Sequence, residues 1–282
     1  MTRAGFIGLG SQGAPMAHRI LDAGLPLTLW ARRRASLEPF ASTKAELASS
    51  PAELAASCDV VGVCVVADTD VEGVVLGESG VLAGLRPGAV LAVHSTVHPD
   101  TCRRLGALAA RRGVHVVDAP VSGGGPAAAA GRLLVMAGGE SEAVERCRPV
   151  FEAYGDPVVH LGPLGSGQVA KLLNNVLFTA NFGIAASALD LGRRLGVAPE
   201  RLAEVAGHGS AASFALGRLA AAGGDPSRMG NLAGALLAKD VRLMSALADA
   251  PDTRHDDTAE AVLGTARAAL ERMGAPLDPE KE

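Results

Sequence analysis

A lysine set in an otherwise apolar helical stretch is the first residue of this sequence that could do chemistry. In Gly167-Gln168-Val169-Ala170-Lys171-Leu172-Leu173-Asn174-Asn175 the polar residues Gln168, Lys171 and Asn175 stand at i, i+3 and i+7, so they share one helical face. Burying an ammonium group costs desolvation free energy and lowers a lysine pKa toward the range where it exchanges protons. Lys171 is therefore a candidate general acid–base group, and the same periodicity equally suits a lysine that snorkels to water or pairs with a carboxylate. A second candidate lies near the N-terminus. Phe6-Ile7 leads into Gly8-Leu9-Gly10-Ser11-Gln12-Gly13, a GxGxxG between an apolar strand and a helical stretch that reaches about Ala23 and is closed by Gly24. Gly8 permits a tight turn, Gly10 lets a pyrophosphate approach the backbone, and Gly13 lets helix and strand pack closely, while the helix N-terminus presents N–H donors.

Dinucleotide sites of the NAD type place Asp or Glu roughly 20 residues past the first glycine, on the ribose hydroxyls. From Ala23 to Leu37 there is no acid, and the second apolar run ends in Trp30-Ala31-Arg32-Arg33-Arg34. An aromatic or guanidinium face there suits adenine, and Arg32 and Arg33 suit a 2′-phosphate, so the expected cofactor is NADP. His94 and His98 are four apart, but Ser-Thr and Pro99 take the place of the helix that an HExxH zinc site requires, so no metal is expected. Cys58, Cys64, Cys102 and Cys147 form no CxxC pair, which points away from zinc ribbons and disulfide frameworks and toward the cytoplasm.

The elements that must carry these residues follow from hydrophobic patterning. Short apolar runs recur at 5–8, 27–31, 60–66, 89–93, 114–118, 133–137 and 158–161, with little polar alternation in stretches such as VVGVCVV. Such runs indicate strands buried on both faces, and the helical stretches between the early ones give a βαβ rhythm. After Gly162 the strand pattern stops and Ala/Leu-rich helical segments take over, the first running from Ser166 to Leu195 before Gly196. The expected fold is α/β, a Rossmann-like doubly wound sheet over residues 1–162 followed by an all-α domain over 163–282. Asp249–Asp257 reads as a solvated loop or frayed segment. With Lys+Arg 26 against Asp+Glu 30, a net charge of -4 argues against nucleic acid or an anionic membrane as partner. Leu172–Leu189 is uncharged and long enough to span a bilayer, yet Asn174, Asn175 and Asn181 favour a buried helix of a soluble protein.

These residues resemble the β-hydroxyacid dehydrogenase family, which contains 3-hydroxyisobutyrate dehydrogenase and is related to 6-phosphogluconate dehydrogenase. Four ordered motifs carry the resemblance: Gly8-Leu9-Gly10 through Pro15-Met16-Ala17; Ser95-Thr96 with Pro99; Asp118-Ala119-Pro120-Val121-Ser122-Gly123-Gly124; and Gly165 through Lys171 to Asn175, with Lys239-Asp240 later. Gln12 departs from the family, which usually has Met there. The resemblance implies an active site shared by the two domains, with Lys171 as proton donor and acceptor. Ser122 with the backbone of Gly123 and Gly124 would hold a substrate carboxylate, and Asn175 would bind substrate. Val65, Val66 and Thr96 would line the cofactor, and Lys239 would reach it or the substrate.

The expected activity is hydride transfer between NADP(H) and a small β-hydroxyacid or semialdehyde bearing an anionic group. Two rivals stand beside it. Imine reductases share the architecture but usually lack the lysine, and a catalytically silent NADP-binding module would not need Lys171, Ser122 and Asn175 together. The Ala/Leu-rich helices from Leu202 to Leu247 carry more apolar surface than one small helical domain buries, so a homodimer or dimer of dimers is expected.

Overall fold

The computed structural model describes residues 1–250 and 257–277, so the loop expected over Asp249–Asp257 lies almost wholly outside the described residues. The chain divides into two compact units, Met1–Lys171 and Leu172–Glu282. In the first unit β1 (Ala4–Ile7), α1 (Gly13–Asp22), β2 (Leu27–Trp30), β3 (Glu46–Leu47), α2 (Pro51–Ala56) and β4 (Val60–Val63) open the fold. They are followed by α3 (Asp68–Leu76), α4 (Val81–Gly84), β5 (Val90–Val93), α5 (Pro99–Ala110) and β6 (His115–Asp118). These six strands form one sheet in the order β3-β2-β1-β4-β5-β6, with every adjacent pair parallel. β1, β4 and β5 are buried at every position because helices cover both faces, which explains runs without polar alternation.

The register is what positions the site. Ile7 pairs with Trp30 on one side and Val63 on the other, Val63 with Val93, and Val93 with Asp118. Five strands thus end in one row, and the residues after each emerge along the same carboxyl-terminal edge, where ligands of open parallel sheets bind. α1 seals one face by burying Met16, Ala17 and Ile20, in a cluster with Phe151 and Tyr154. Removing a side chain such as Ile20 from that cluster should cost about 2–5 kcal/mol.

The rest of the first unit adds a second, smaller sheet to the expected Rossmann-like one. β7 (Val121–Ser122), α6 (Gly124–Ala129), β8 (Leu133–Ala137), α7 (Ser141–Tyr154) and β9 (Gly155–His160) build a separate three-stranded sheet, ordered β7-β8-β9. β7 runs antiparallel to β8, in the same register as the antiparallel Asp118–Gly138 bridge at the end of β6.

α8 (Ser166–Arg194) begins in the first unit and supplies the first helix of the second, and Gly196 follows it in the left-handed region at φ +85°. By length and composition α8 is apolar enough to cross a membrane, and 44% of its most apolar stretch is buried in protein. It is buried on one side only: Val176, Ala180, Phe182 and Ala186 enter the core of the second unit, whereas Leu173, Leu177, Ile184 and Leu191 are exposed. α9 (Pro199–His208), α10 (Phe214–Ala221), α11 (Pro226–Ala248) and α12 (Asp257–Met273) complete that unit, with no strand among its described residues.

Candidate active site

The phosphate loop is shaped by what its glycines cannot carry. Gly8 has φ +98°, and a Cβ there would collide with the Cys64 carbonyl at the end of β4. A Cβ on Gly13 would strike the Gly8 carbonyl. Gly10 is the opposite case: its missing Cβ has no atom within 4 Å, so the backbone faces open space. That space belongs to a pocket of about 560 Å³ lined by Gly8, Leu9, Gly10, Ala31, Arg32, Arg33, Val65 and Val66. Trp30 closes one side, and Thr69, Asp70 and Gly73 of α3 close another. A diphosphate fits the open backbone beside Gly10, and a flat base fits the wall near Trp30. Of the expected cofactor residues in the first unit, Ser11, Gln12, Gly13 and Thr96 are outside the lining of this pocket, and a Cβ on Gly125 would lie 2.7 Å from the Ser11 carbonyl.

The arginine run is less free than the sequence indicates. Arg32 Nη1 lies 3.4 Å from Asp70 Oδ1, so an acid does face this end of the pocket, delivered by α3 rather than by β2. Arg33 lines the pocket, whereas Arg34 opens a short 3-10 turn spanning Arg34–Phe40.

Next along the same sheet edge come Ser122, Gly123 and Gly124, which follow β6 through Pro120. Gly123 has φ +130° and Gly124 φ +70°, conformations that L side chains rarely adopt, and both are exposed beside the half-buried Ser122. Consecutive backbone N–H groups of such a loop, with a hydroxyl, suit a carboxylate.

The family described as the NAD binding domain of 6-phosphogluconate dehydrogenase matches residues 3–162, and that described as the NAD-binding of NADP-dependent 3-hydroxyisobutyrate dehydrogenase matches 165–280. The chain belongs to the β-hydroxyacid dehydrogenase family. It is 40% identical over 216 residues to the NAD-dependent L-serine dehydrogenase of Pseudomonas aeruginosa, covering 77% of this chain and 72% of that one. A solved structure of Mycobacterium tuberculosis 3-hydroxyisobutyrate dehydrogenase with L-serine superposes with a TM-score of 0.82 at 27% identity, covering 98% and 97% of the two chains. An imine reductase of Streptomyces aurantiacus, at 20% identity and a TM-score of 0.65 over 95% of this chain and 92% of that one, shares the fold. This dehydrogenase is thus a hydroxyacid dehydrogenase-type oxidoreductase that binds NAD(P).

Lys171 of the dehydrogenase is buried, with 9% of its surface exposed. The turn of α8 that precedes it is gripped from two strand ends. Asp118, the fully buried last residue of β6, accepts from the Gly165 and Gln168 N–H groups at 2.6 and 2.7 Å. Burial raises its carboxyl to about 6, against the opposing pull of those two donors. The Gln168 amide does not sit beside Lys171 as a substrate ligand, despite the shared face; its Nε2 donates to the Ser95 carbonyl at 2.9 Å and its Oε1 accepts from Val97 N–H at 3.1 Å.

In the second unit Asn175 is half-buried, and its Nδ2 donates to Asp240 Oδ2 at 2.6 Å. Asp240 is buried and also pairs with Lys239 at 3.1 Å, so Lys239 and Asn175 are tied through one carboxylate. His94 and His98 are occupied structurally. His94 Nδ1–H donates to the Ala119 carbonyl at 2.7 Å, which leaves Nε2 to accept from Tyr154 O–H at 3.1 Å. Burial drives its pKa down to about 4. His98 Nδ1 accepts from Asp100 N–H and caps α5.

Sequence reasoning assigned no role to Asp70, Asp118, Gln168 or Asp240. Asp118 and Asp240 stood within the motifs quoted, and Gln168 stood on the polar stripe, so their positions were visible while their partners were not.

Proposed function

We propose that this dehydrogenase oxidises or reduces a small β-hydroxyacid/semialdehyde pair that carries a carboxylate, with NADP(H) preferred. The observation that carries the reading is a buried lysine in the same compact unit as the dinucleotide pocket and the Ser122–Gly124 loop. Gly8, Gly10, Arg32 and Arg33 would hold a nicotinamide dinucleotide, which would supply the hydride chemistry. Lys171 Nζ takes the substrate hydroxyl proton during oxidation and returns it during reduction, while Ser122 and the Gly123 and Gly124 backbone hold the carboxylate. Asn175 and Lys239, which share the Asp240 carboxylate, are the polar groups of the second unit that the family resemblance assigns to substrate and cofactor. Arg32 and Arg33 support the 2′-phosphate preference, and the relatives named above make L-serine and 3-hydroxyisobutyrate the first substrates to try.

We also propose a homodimer or dimer of dimers, supported by exposed Leu177, Ile184, Phe214 and Leu232 on helices of the second unit. The four cysteines are free thiols, consistent with a cytoplasmic enzyme. The function is tested by screening L-serine, 3-hydroxyisobutyrate, related semialdehydes and cyclic imines against NADP(H) and NAD(H), read by absorbance of the reduced nicotinamide. Lys171→Met should lower turnover about 10²-fold or more while cofactor binding and thermal stability survive. A stable, cofactor-binding variant with near-normal turnover would remove Lys171 from the mechanism.

A further inference from the structure

Three polar contacts run unbroken from the cofactor pocket to the lysine helix. Val65 lines the pocket, and its backbone N–H donates to Ser95 Oγ at 2.8 Å. The carbonyl of the same Ser95 accepts from Gln168 Nε2 at 2.9 Å, and two residues on, Val97 N–H donates to Gln168 Oε1 at 3.1 Å. Ser95 is 2% exposed and Gln168 is fully buried, so water does not substitute for either partner. One side-chain amide therefore closes a two-point clamp on the segment leaving β5, using its donor and its acceptor on backbone groups of opposite kind. One turn further along α8 from this clamp stands Lys171.

We propose that Gln168 is a positioning residue for the hydride and proton transfers: through the Ser95–Val97 segment it ties Val65 of the cofactor pocket to the turn of α8 that carries Lys171. The proposal rests on the role assigned to Lys171 under the proposed function. A stable helix start does not itself need this amide, because Asp118 already holds the backbone of the same turn. What the Gln168 side chain adds is a fixed spacing between two pieces of the catalytic apparatus that arrive from sequence positions about 70 apart. Transfer chemistry is sensitive to such spacing, since a misplacement of about 1 Å can cost roughly 10²-fold in rate.

The amide's asymmetry supplies a test that mere packing would not pass. A protonated carboxyl in its place still donates to the Ser95 carbonyl and accepts from Val97 N–H, whereas an ionised one presents an oxygen to an oxygen. The titratable groups facing this position are Cys102 of α5, whose thiol accepts the Gln168 side chain and is pushed well up by burial, Asp118 of β6, and Lys171 one turn along. Comparing each variant with wild type at the same pH removes the contribution of those neighbours. For Gln168→Glu, the ratio of its kcat to wild type should be near one at the acid end of the range and fall about 10²-fold as pH rises, with the Kd for NADPH changing less than about threefold. The Val97 amide resonance of the same variant should titrate with the same midpoint, a readout independent of turnover. Gln168→Met, which has neither donor nor acceptor, should lose a similar factor at every pH.

Turnover is measured with whichever of L-serine and 3-hydroxyisobutyrate the wild type oxidises, and Lys171→Met is run in parallel. A dead Lys171→Met beside a fully active Gln168→Met, or a Gln168→Glu ratio flat with pH while Val97 titrates, overturns the clamp alone. An active Lys171→Met overturns the clamp together with the proton-transfer role on which it rests. If the Gln168 variants lose activity only in proportion to their unfolded fraction, measured by circular dichroism at the assay temperature, Gln168 is structural and the proposal is wrong.

Discussion

Replacing His94 with Gln should remove much of the acid sensitivity that native stability carries between pH 7 and pH 5. His94 is sealed between β1, β4 and α7, stacked near Phe6 and edge-on to Phe151 and Tyr154, and burial takes its pKa from 6.5 to about 4. Because the folded value lies below the unfolded one, the unfolded chain binds the proton first. The stabilisation is complete above the unfolded value and is lost as pH falls toward 4. Between pH 7 and pH 5 that loss comes to about 2 kcal/mol. Asp118 has the opposite sign. Its folded pKa is raised from 3.8 to about 6, so its contribution is full below the unfolded value and disappears as pH rises through the folded one. Over the same fall in pH it returns about 1 kcal/mol. In the wild type the second slope offsets only part of the first, and each single replacement uncovers the other. His94→Gln should keep about 2 kcal/mol more of its pH 7 stability at pH 5 than wild type does, and Asp118→Asn about 1 kcal/mol less. Urea unfolding followed at Trp30, the one tryptophan of the chain and a residue of the first unit, reads this directly. Only differences within a variant are compared, so the fixed cost of each mutation drops out. Parallel pH curves for wild type and His94→Gln would refute a buried neutral imidazole at this position.

The phosphate-loop glycines should separate by function: Gly10→Ala leaves the unfolding midpoint unchanged and weakens NADPH binding about tenfold or more in titration calorimetry, whereas Gly13→Ala, whose Cβ meets a carbonyl, lowers stability by about 1–3 kcal/mol. On cofactor choice, Arg32→Ala with Arg33→Ala should weaken NADPH far more than NADH, and Asp70→Asn, which releases Arg32 from its acid, should shift the ratio a few-fold the other way; equal effects on both cofactors would sink the assignment. On assembly, light scattering at micromolar concentration should give a dimer or tetramer mass for wild type and a smaller one for Leu177→Glu with Ile184→Glu, and a monomeric wild type would count against the proposal.

What the sequence revealed depended on whether the signal was local. Gly8, Gly10 and Gly13 announce their loop because strand, turn and helix lie within one short stretch, and α8 announces itself through a long uncharged period. Strands of two residues, such as Glu46–Leu47 and Val121–Ser122, are too short to show any period, so β7 was hidden although the runs of β8 and β9 were visible. Long-range partnerships were equally silent. Arg32 with Asp70, Asp118 with the start of α8, and Gln168 with Ser95 join residues separated by 38 to 73 positions, and nothing in the spacing of such pairs tells which backbone group a polar side chain will meet. Gln168 is the instructive case: periodicity placed it correctly on the face of Lys171, and the fold then turned its amide to a different task.

The common row in which the strands end has a practical side. The pocket is lined from the carboxyl ends of β1, β2 and β4 and from α3, so the amino-terminal edge of the sheet lies away from it. There the turns at Gly88 and Gly113 are bound to each other through Gly88 N–H and the Gly113 carbonyl at 2.7 Å, and Arg111 beside them is exposed. Cys58, Cys102 and Cys147 are buried and the Cys64 thiol is pushed up to about 12, so all four native thiols resist alkylation near neutral pH. A cysteine introduced by Arg111→Cys becomes the one reactive handle, and tethering the enzyme to an electrode or bead through it leaves the nucleotide entrance facing the solvent.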